Sequence, residues 1–161
     1  MKKTIIAITI AAACIAPPTK ADFFQASLTP EIAIHSRDTR IEGISLSIWG
    51  ENPQSSFAFG FINGSTGKSA GLAWGLVNYS DSYTGVELGI VNYSKETFIG
   101  LQSGLVNIGK EVNGLQWGTV NYAESLNGVQ LGLVCIVKEN AWFKEFPSQL
   151  SKGFVFLNWS F

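Results

Sequence analysis

The sequence predicts an all-β repeat protein, and three observations indicate this fold class. A phrase close to Gly-Leu-Gln-x-Gly-Leu-Val-Asn recurs five times between residues 71 and 137. Within each copy, apolar residues alternate with small or polar ones, which is the pattern of a β-strand. Short polar segments with turn-forming residues separate the copies. A repeat of 14 to 15 residues leaves room for one strand and one turn, so we expect an array of single-strand units.

The N-terminus has the composition of an export signal. Two lysines precede an apolar run at residues 5–16, and Ala21 supplies the small residue expected at a cleavage site. The run is shorter than the about 20 apolar residues that a permanent membrane helix needs. We therefore expect residues 1–21 to be a signal peptide and residues 22–161 to form a single β-repeat domain.

Removal of this segment changes the charge and the cysteine count. Without Lys2, Lys3 and Lys20, 8 basic residues face 12 acidic ones, which is a net charge of −4. Such a chain has no basic excess for nucleic acid, so we expect no nucleic-acid partner. Cys14 lies in a stretch that faintly resembles a lipoprotein attachment box, and whether it is lipidated stays open. With Cys14 removed, Cys135 is the only cysteine, which excludes an internal disulfide.

Alternation along the strand gives each repeat two faces, over residues of about 41–137. One face is bulky and apolar, as with Leu72, Trp74 and Leu76 in the first full copy. The opposite face carries Glu87 in one copy and glutamine in three others, followed by a glycine. The central apolar position varies between Trp, Leu and Ser, and such changes in size are tolerated against lipid better than in a packed core. We therefore expect the apolar face to meet lipid and the polar face, with Glu87 paired in an amide row, to lie inside.

Two folds fit these faces. The first is a small antiparallel outer-membrane-type β-barrel of about 8–10 strands. The alternative is a parallel β-solenoid, in which identical residues stack from coil to coil and the asparagines form a hydrogen-bonded ladder. Uniform turn length favours the solenoid. The small interior that a coil of 14 residues would leave for Trp74 and Trp117 favours the barrel, and the barrel is the main prediction.

A recurrent asparagine and a recurrent glycine are the predicted structural positions of the repeat. The regular spacing of the asparagines indicates an amide that closes each turn, so the Asn-x-Ser matches here are not interpreted as glycosylation sites. The glycines permit close backbone approach or curvature of the strand. These positions are Asn63, Asn78, Asn92, Asn107 and Asn121, together with Gly75, Gly89, Gly104, Gly118 and Gly132.

The chain ends in a segment of alternating apolar residues. In residues 153–161, Val155, Leu157, Trp159 and Phe161 share one face. A closing strand with a terminal aromatic is typical of outer-membrane barrels, in which the last residue is an insertion signal. The barrel interpretation therefore assigns that role to Phe161 and expects outer-membrane lipid and the barrel-assembly machinery as partners.

Residues 138–149 depart from the repeat and form the longest insertion before the closing strand. They contain Trp142, Phe143 and Phe146. These aromatic residues are candidate contacts for a partner, or equally an aromatic anchor at a membrane interface.

No residue pattern predicts catalysis, a cofactor or a metal site. His35 is the only histidine, so a catalytic triad would depend on one residue in the variable N-terminal part. No cluster of His, Cys, Asp and Glu has the spacing of metal ligands. Lys68 and Ser69 resemble the end of a phosphate-binding loop, but Ile62 occupies the position of its first glycine. We expect a protein without enzymatic activity that has a structural, adhesive or surface-recognition role, toward a ligand the sequence does not identify.

The repeat phrase is similar to that of a family of bacterial surface-repeat proteins. The resemblance covers residues 41–52, the five copies between 71 and 137, and residues 146–161. It implies a repeat fold and an exported protein or lipoprotein at the outer membrane or cell surface of a Gram-negative bacterium, and it implies no ligand or activity. Cys135 departs from the family pattern, because it replaces the repeat asparagine.

Overall fold

The protein is described by a computed structural model that covers residues 21–140 and 153–161, and the regular elements in these ranges are all β-strands. The strands are β1 (Ala21–Ser27), β2 (Arg40–Asn52), β3 (Ser55–Trp74), β4 (Val77–Leu88), β5 (Val91–Val137) and β6 (Gly153–Ser160). They form one sheet in sequence order. The predicted all-β class is confirmed. Residues 1–20 of the predicted signal peptide, and the candidate partner residues Trp142, Phe143 and Phe146, lie outside the described residues.

Successive strands pair in parallel, so the predicted antiparallel barrel is wrong. Strands β1 to β4 each pair with the next strand in a parallel ladder. The register places one repeat directly on the next, since Asn63 pairs with Asn78, and Asn78 pairs with Asn92. The fold is the parallel β-solenoid that the sequence analysis kept as its alternative.

The tryptophans do not occupy the interior of the coil. Trp74 and Trp117 are 61% and 62% exposed. Their size favoured the barrel over the solenoid, because a coil of 14 residues encloses little space. Since both indoles lie outside, that objection does not apply. The buried polar side chains are mostly amides and hydroxyls.

Each repeat contains a corner, which the single-strand prediction missed. Glu87 and Asn92 are both buried, with 1% and 0% of their surface exposed. Five residues separate them, and strict alternation along one strand would put them on opposite faces. The chain bends at Gly89 and Ile90, and this bend returns both polar side chains to the interior. The repeat therefore comprises two short extended segments and two turns.

Close stacking of the coils requires both glycines of the repeat. Gly85 has a φ of +139°, and a β-carbon there would overlap the carbonyl oxygen of Gly71 in the coil below. A β-carbon on Gly104 would lie 2.5 Å from the carbonyl oxygen of Gly89 and 2.8 Å from Nδ2 of Asn92. The first glycine thus supplies a conformation that other residues rarely adopt, and the second leaves room for the neighbouring backbone.

An apolar column completes the interior beside the polar rows. Tyr83 and Phe98 stack with their ring centroids 6.4 Å apart and their planes 4° from parallel. Val112 and Leu126 continue the same buried cluster toward the C-terminal end. The aromatic and aliphatic side chains of this column fill the end of the coil that the amides leave open.

The segment expected to close the domain forms β6, which runs antiparallel to the last part of β5. Gly128 pairs with Ser160 and Leu131 pairs with Leu157. This reversal covers the C-terminal end of the parallel stack. Phe161 follows β6 and is 70% exposed. Its predicted role as an insertion signal belonged to the barrel interpretation.

Candidate functional site

The repeat asparagines form a continuous hydrogen-bonded ladder inside the solenoid. Nδ2 of each asparagine from Asn63 to Asn107 donates to Oδ1 of the asparagine in the following coil. The successive distances are 2.9 Å for Asn63 to Asn78, 2.8 Å for Asn78 to Asn92, 2.8 Å for Asn92 to Asn107 and 2.8 Å for Asn107 to Asn121. Nδ2 of Asn78, Asn92 and Asn107 also donates to the main chain at the next corner, as from Asn92 to the carbonyl of Ser103 at 3.0 Å. Each of these three amides therefore joins two coils and fixes a corner.

The glutamine row forms a second ladder that donates in the opposite direction. Nε2 of Gln130 donates to Oε1 of Gln116 at 2.7 Å, and Gln116 donates to Gln102 at 2.8 Å. The last donor is Gln102, whose Nε2 lies 2.9 Å from Oε2 of Glu87. The ladder ends there, because Ala73 occupies the paired position in the preceding coil. Aligned amides polarise one another along each ladder, and the two ladders have opposed dipoles.

Glu87 is the acceptor at the end of the glutamine ladder. Its second carboxylate oxygen, Oε1, accepts a hydrogen bond from Oγ of Ser80 at 3.0 Å. Burial raises the pKa of the Glu87 carboxyl to about 7, while the hydrogen bonds from Gln102 and Ser80 oppose this rise. The single acidic residue of the row is thus buried and hydrogen-bonded inside the solenoid, and its ionisation is coupled to the glutamine ladder.

A polar network missed by the sequence analysis lies at the N-terminal end. The phenol oxygen of Tyr79 accepts a hydrogen bond from the indole of Trp49 at 3.1 Å and donates to Glu51 at 2.6 Å. Arg37 pairs with the other carboxylate oxygen of Glu51 at 2.6 Å. Burial, and then the hydrogen bond to Glu51, raise the pKa of Tyr79 to about 12. The network attaches the irregular segment after β1 to the first coils.

Outside the coil, the corners form an exposed row that we call the apolar rim. It consists of Ile48, Phe61, Leu76, Ile90, Leu105, Thr119 and Leu133. Six of these seven residues are large and apolar, and they are 46% to 58% exposed. Such contiguous exposed apolar surface marks a site of interaction.

Apolar rows flank the rim on both faces of the coil. One flank contains Trp74, Leu88, Trp117 and Leu131, interrupted by Ser103. The other flank contains Val77, Val91, Val106, Val120 and Val134. No charged residue occupies the rim or either of these flanks. The apolar surface therefore continues around the corner from one face of the coil to the other.

The turns on the opposite side of the coil carry the charges, and we call them the charged edge. They contain Asp81, Lys95, Glu96, Lys110, Glu111, Glu124, Lys138 and Glu139. Lys95 lies 3.8 Å from Asp81, and Lys138 lies 3.3 Å from Glu124, each pair joining adjacent coils. Exposed pairs of this kind contribute little stability. Their arrangement makes the molecule amphipathic about its long axis.

A groove of about 560 Å³ opens in the apolar surface where the rim residue is Thr119 and the flank residue is Ser103. The repeat glycines Gly89, Gly104, Gly118 and Gly132 contribute to its lining. Phe156 of β6 borders it, with a φ of +72° and 67% of its surface exposed. The predicted structural glycines therefore lie beside the rim.

The structure distributes the predicted residues between the interior and the rim. The five asparagines stand in one ladder, and the five glycines lie at the corners. Strand alternation predicted the apolar face, but not that the rim joins this face to the valine row. The signal was present in the sequence, because one turn of each repeat is apolar and the other is charged.

Among residues 21–140 and 153–161, no group of three or more His, Cys, Asp and Glu side chains is placed to hold a metal ion. The same part of the chain contains no helix that is long and apolar enough to cross a membrane.

The chain matches no protein-family model, and neither a curated protein nor a solved structure is significantly similar to it.

Proposed function

We propose that this protein is an exported, non-catalytic binding module of a Gram-negative cell envelope, which attaches to its partner through the apolar rim. The observation that carries this proposal is the separation of surface types. Large apolar side chains occupy the rim at 46% to 58% exposure, and the charged turns of residues 81–139 stand on the opposite edge. Leaving such a surface in water is unfavourable, since burial of apolar area is the main driving force of association.

The size of the rim supports a binding role. Its seven positions stack with six intervals of about 4.8 Å, which gives a row about 29 Å long. Repeat arrays commonly bind through such extended surfaces, because each unit presents the same position. The rigid ladders inside hold the row straight, so little conformational entropy would be lost on binding.

The proposed location in the cell envelope rests on the sequence. Two lysines, the apolar run at residues 5–16 and Ala21 have the order of an export signal. The resemblance to surface-repeat proteins supports the same compartment. A recognition role at the cell surface fits a chain whose interior asparagine and glutamine amides donate coil-to-coil hydrogen bonds.

A matched pair of variants tests the proposal in cells that produce the full chain. The rim variant carries Leu76→Thr, Ile90→Thr and Leu105→Thr, which copy the residue already present at Thr119. The control variant carries Lys95→Thr and Glu96→Thr on the charged edge and keeps the net charge. Fractionation should recover the wild type and the control with the envelope, and the rim variant in the soluble exported fraction.

Two results would contradict the proposal. One is wild-type protein that stays in the cytoplasm with its N-terminal segment intact. The other is a rim variant with the same circular dichroism spectrum and the same envelope retention as the wild type.

A further inference from the structure

We infer that the partner of the apolar rim is the interfacial region of a phospholipid bilayer. The inference rests on the proposed function, because it names what the rim binds. Four properties support it: the shape of the rim, the order of side chains away from it, the distribution of charge, and the conformation of Phe156.

The shape of the rim favours a fluid partner. The rim is a row of corners, and it is therefore a convex ridge about 29 Å long on a coil about 10 Å thick. Such a ridge presents about 300 Å², whereas a stable protein interface buries about 800 Å² on each partner. A second copy would offer the same convex ridge, and two ridges touch along a line. Lipid rearranges around a ridge and covers the rim and both flanks.

The order of side chains across one coil matches the order of polarity across a bilayer surface. Ile90 stands on the rim, Tyr93 follows three residues later, and Lys95 five residues later. At about 3.3 Å per residue these positions lie about 10 Å and about 16 Å from the rim. Trp74 and Trp117 lie two residues from the rim on the other flank, about 7 Å away. Interfacial elements insert by about 5–10 Å, with Trp and Tyr at the level of the headgroups.

The distribution of charge specifies the kind of lipid surface. No lysine or arginine occupies the rim or its flanks, and the charged edge mixes both signs in paired contacts. Attraction to anionic lipid requires clustered basic residues near the surface. Apolar burial is therefore the driving force, so we expect binding to zwitterionic lipid that does not weaken as salt is added.

Phe156 extends the apolar surface at the C-terminal end of the stack. It pairs with Gly132, next to Leu133 of the rim, and its φ of +72° is rare for a residue with a side chain. Residues held in this region cost free energy and concentrate at functional positions. Here the unusual backbone accompanies a phenyl ring that is 67% exposed, beside the groove that contains Trp117.

Flotation with phosphatidylcholine vesicles tests the inference, using protein purified after production of the full chain. The wild type and the charged-edge control should float with the vesicles at low and at high salt. The rim variant should bind at least about tenfold more weakly, because three aliphatic side chains lose methyl groups that would otherwise leave water.

A second variant keeps the test decisive if the rim variant folds poorly. Trp74→Ser and Trp117→Ser copy the residue at Ser103. With lipid brominated on its acyl chains, wild-type tryptophan emission should be quenched. This variant should lose the share of the quenching due to Trp74 and Trp117, while Trp49, Trp142 and Trp159 remain. Equal flotation of wild type and a folded rim variant, or unchanged quenching in the tryptophan variant, would overturn the inference.

The outcomes also separate the inference from the proposed function. If the wild type does not float, while the rim variant is still released from the envelope of cells, the partner is a protein and the lipid inference is wrong. A wild-type dimer that dissociates in the rim variant, again without flotation, would identify a second copy as the partner. Cytoplasmic wild-type protein would contradict the proposed function itself.

Discussion

The side-chain amide of Gln102 donates to the carboxylate of Glu87 across 2.9 Å, and both side chains are buried, with 0% and 1% of their surface exposed. This contact joins a ladder of neutral amides to an ionisable group. A carboxylate attracts the aligned amides, but its burial is costly. Because these two effects oppose each other, the protonation of Glu87 links the stability of the interior to pH.

Replacing Glu87 with glutamine should stabilise the protein at alkaline pH and remove a pH dependence. Burial raises the pKa of Glu87 from 4.5 to about 7. Between these values the folded protein keeps a proton that the unfolded chain has released. The stability contributed by Glu87 is therefore present in full below pH 4.5 and is lost as the pH rises through about 7. The loss is about 3 kcal/mol at pH 8.

Denaturant unfolding at pH 5 and at pH 8 measures this effect. The free energy of unfolding of Glu87→Gln should exceed that of the wild type at pH 8 and should vary less between the two pH values. The exposed substitution Glu111→Gln is the control, since it removes the same charge outside the interior. A wild-type difference between the two pH values that persists unchanged in Glu87→Gln would contradict the assignment.

Replacing Asn92 with alanine should break the asparagine ladder at its centre. Asn92 accepts from Asn78 and donates both to Asn107 and to the carbonyl of Ser103, at 2.8 to 3.0 Å. Its loss leaves buried donors and acceptors without partners, which costs about 2–4 kcal/mol. Urea unfolding would measure the change, with the exposed substitution Asn127→Ala as control. Equal stability of both variants would mean that the ladder contributes nothing to the stack.

Two glycine substitutions should compare a positive φ alone with a positive φ combined with close stacking. Gly67→Ala places a methyl group in open space at a φ of +59°, and it should cost about 1 kcal/mol. Gly85→Ala drives a methyl group into the carbonyl of Gly71, and it should cost at least about 3 kcal/mol. Thermal unfolding of the two variants compares them. A milder effect at Gly85 than at Gly67 would contradict the close stacking.

Replacing Tyr83 with phenylalanine should stabilise the protein. The Tyr83 hydroxyl is buried and has no hydrogen-bond partner among residues 21–140 and 153–161, and its ring stacks on Phe98. The change repeats the residue of the following coil and removes an unsatisfied polar group, which should add about 1 kcal/mol. Chemical unfolding checks this, and Phe98→Tyr is the reciprocal variant, expected to destabilise. A destabilised Tyr83→Phe would show that the hydroxyl has a favourable environment.

The sequence predicted the strand class and the repeat because both follow from the local pattern. Stacked coils and neighbouring barrel strands share the same alternation of inside and outside, and alternation does not encode whether neighbours run parallel. The barrel prediction failed at this point. The spacing between Gln102 and Asn107 held the missing information, since two buried residues an odd number apart require a corner.

The binding surface was harder to predict, because it is formed by stacking. Leu76 and Leu105 belong to separate repeats, and only the parallel register aligns them with Ile90 into one row. Along a straight strand, Val106 and Leu105 would lie on opposite faces. At a corner the two residues lie side by side on one continuous surface.

The opposed directions of the two amide ladders have a consequence for how such a chain can lengthen. A duplicated unit of 14 to 15 residues would insert one more Asn and one more Gln, and each would find a donor on one side and an acceptor on the other. The two terminal structures would not need to change. Addition or loss of a whole coil would therefore preserve the fold. The number of repeats, and with it the length of the molecule, can change without a change at either end.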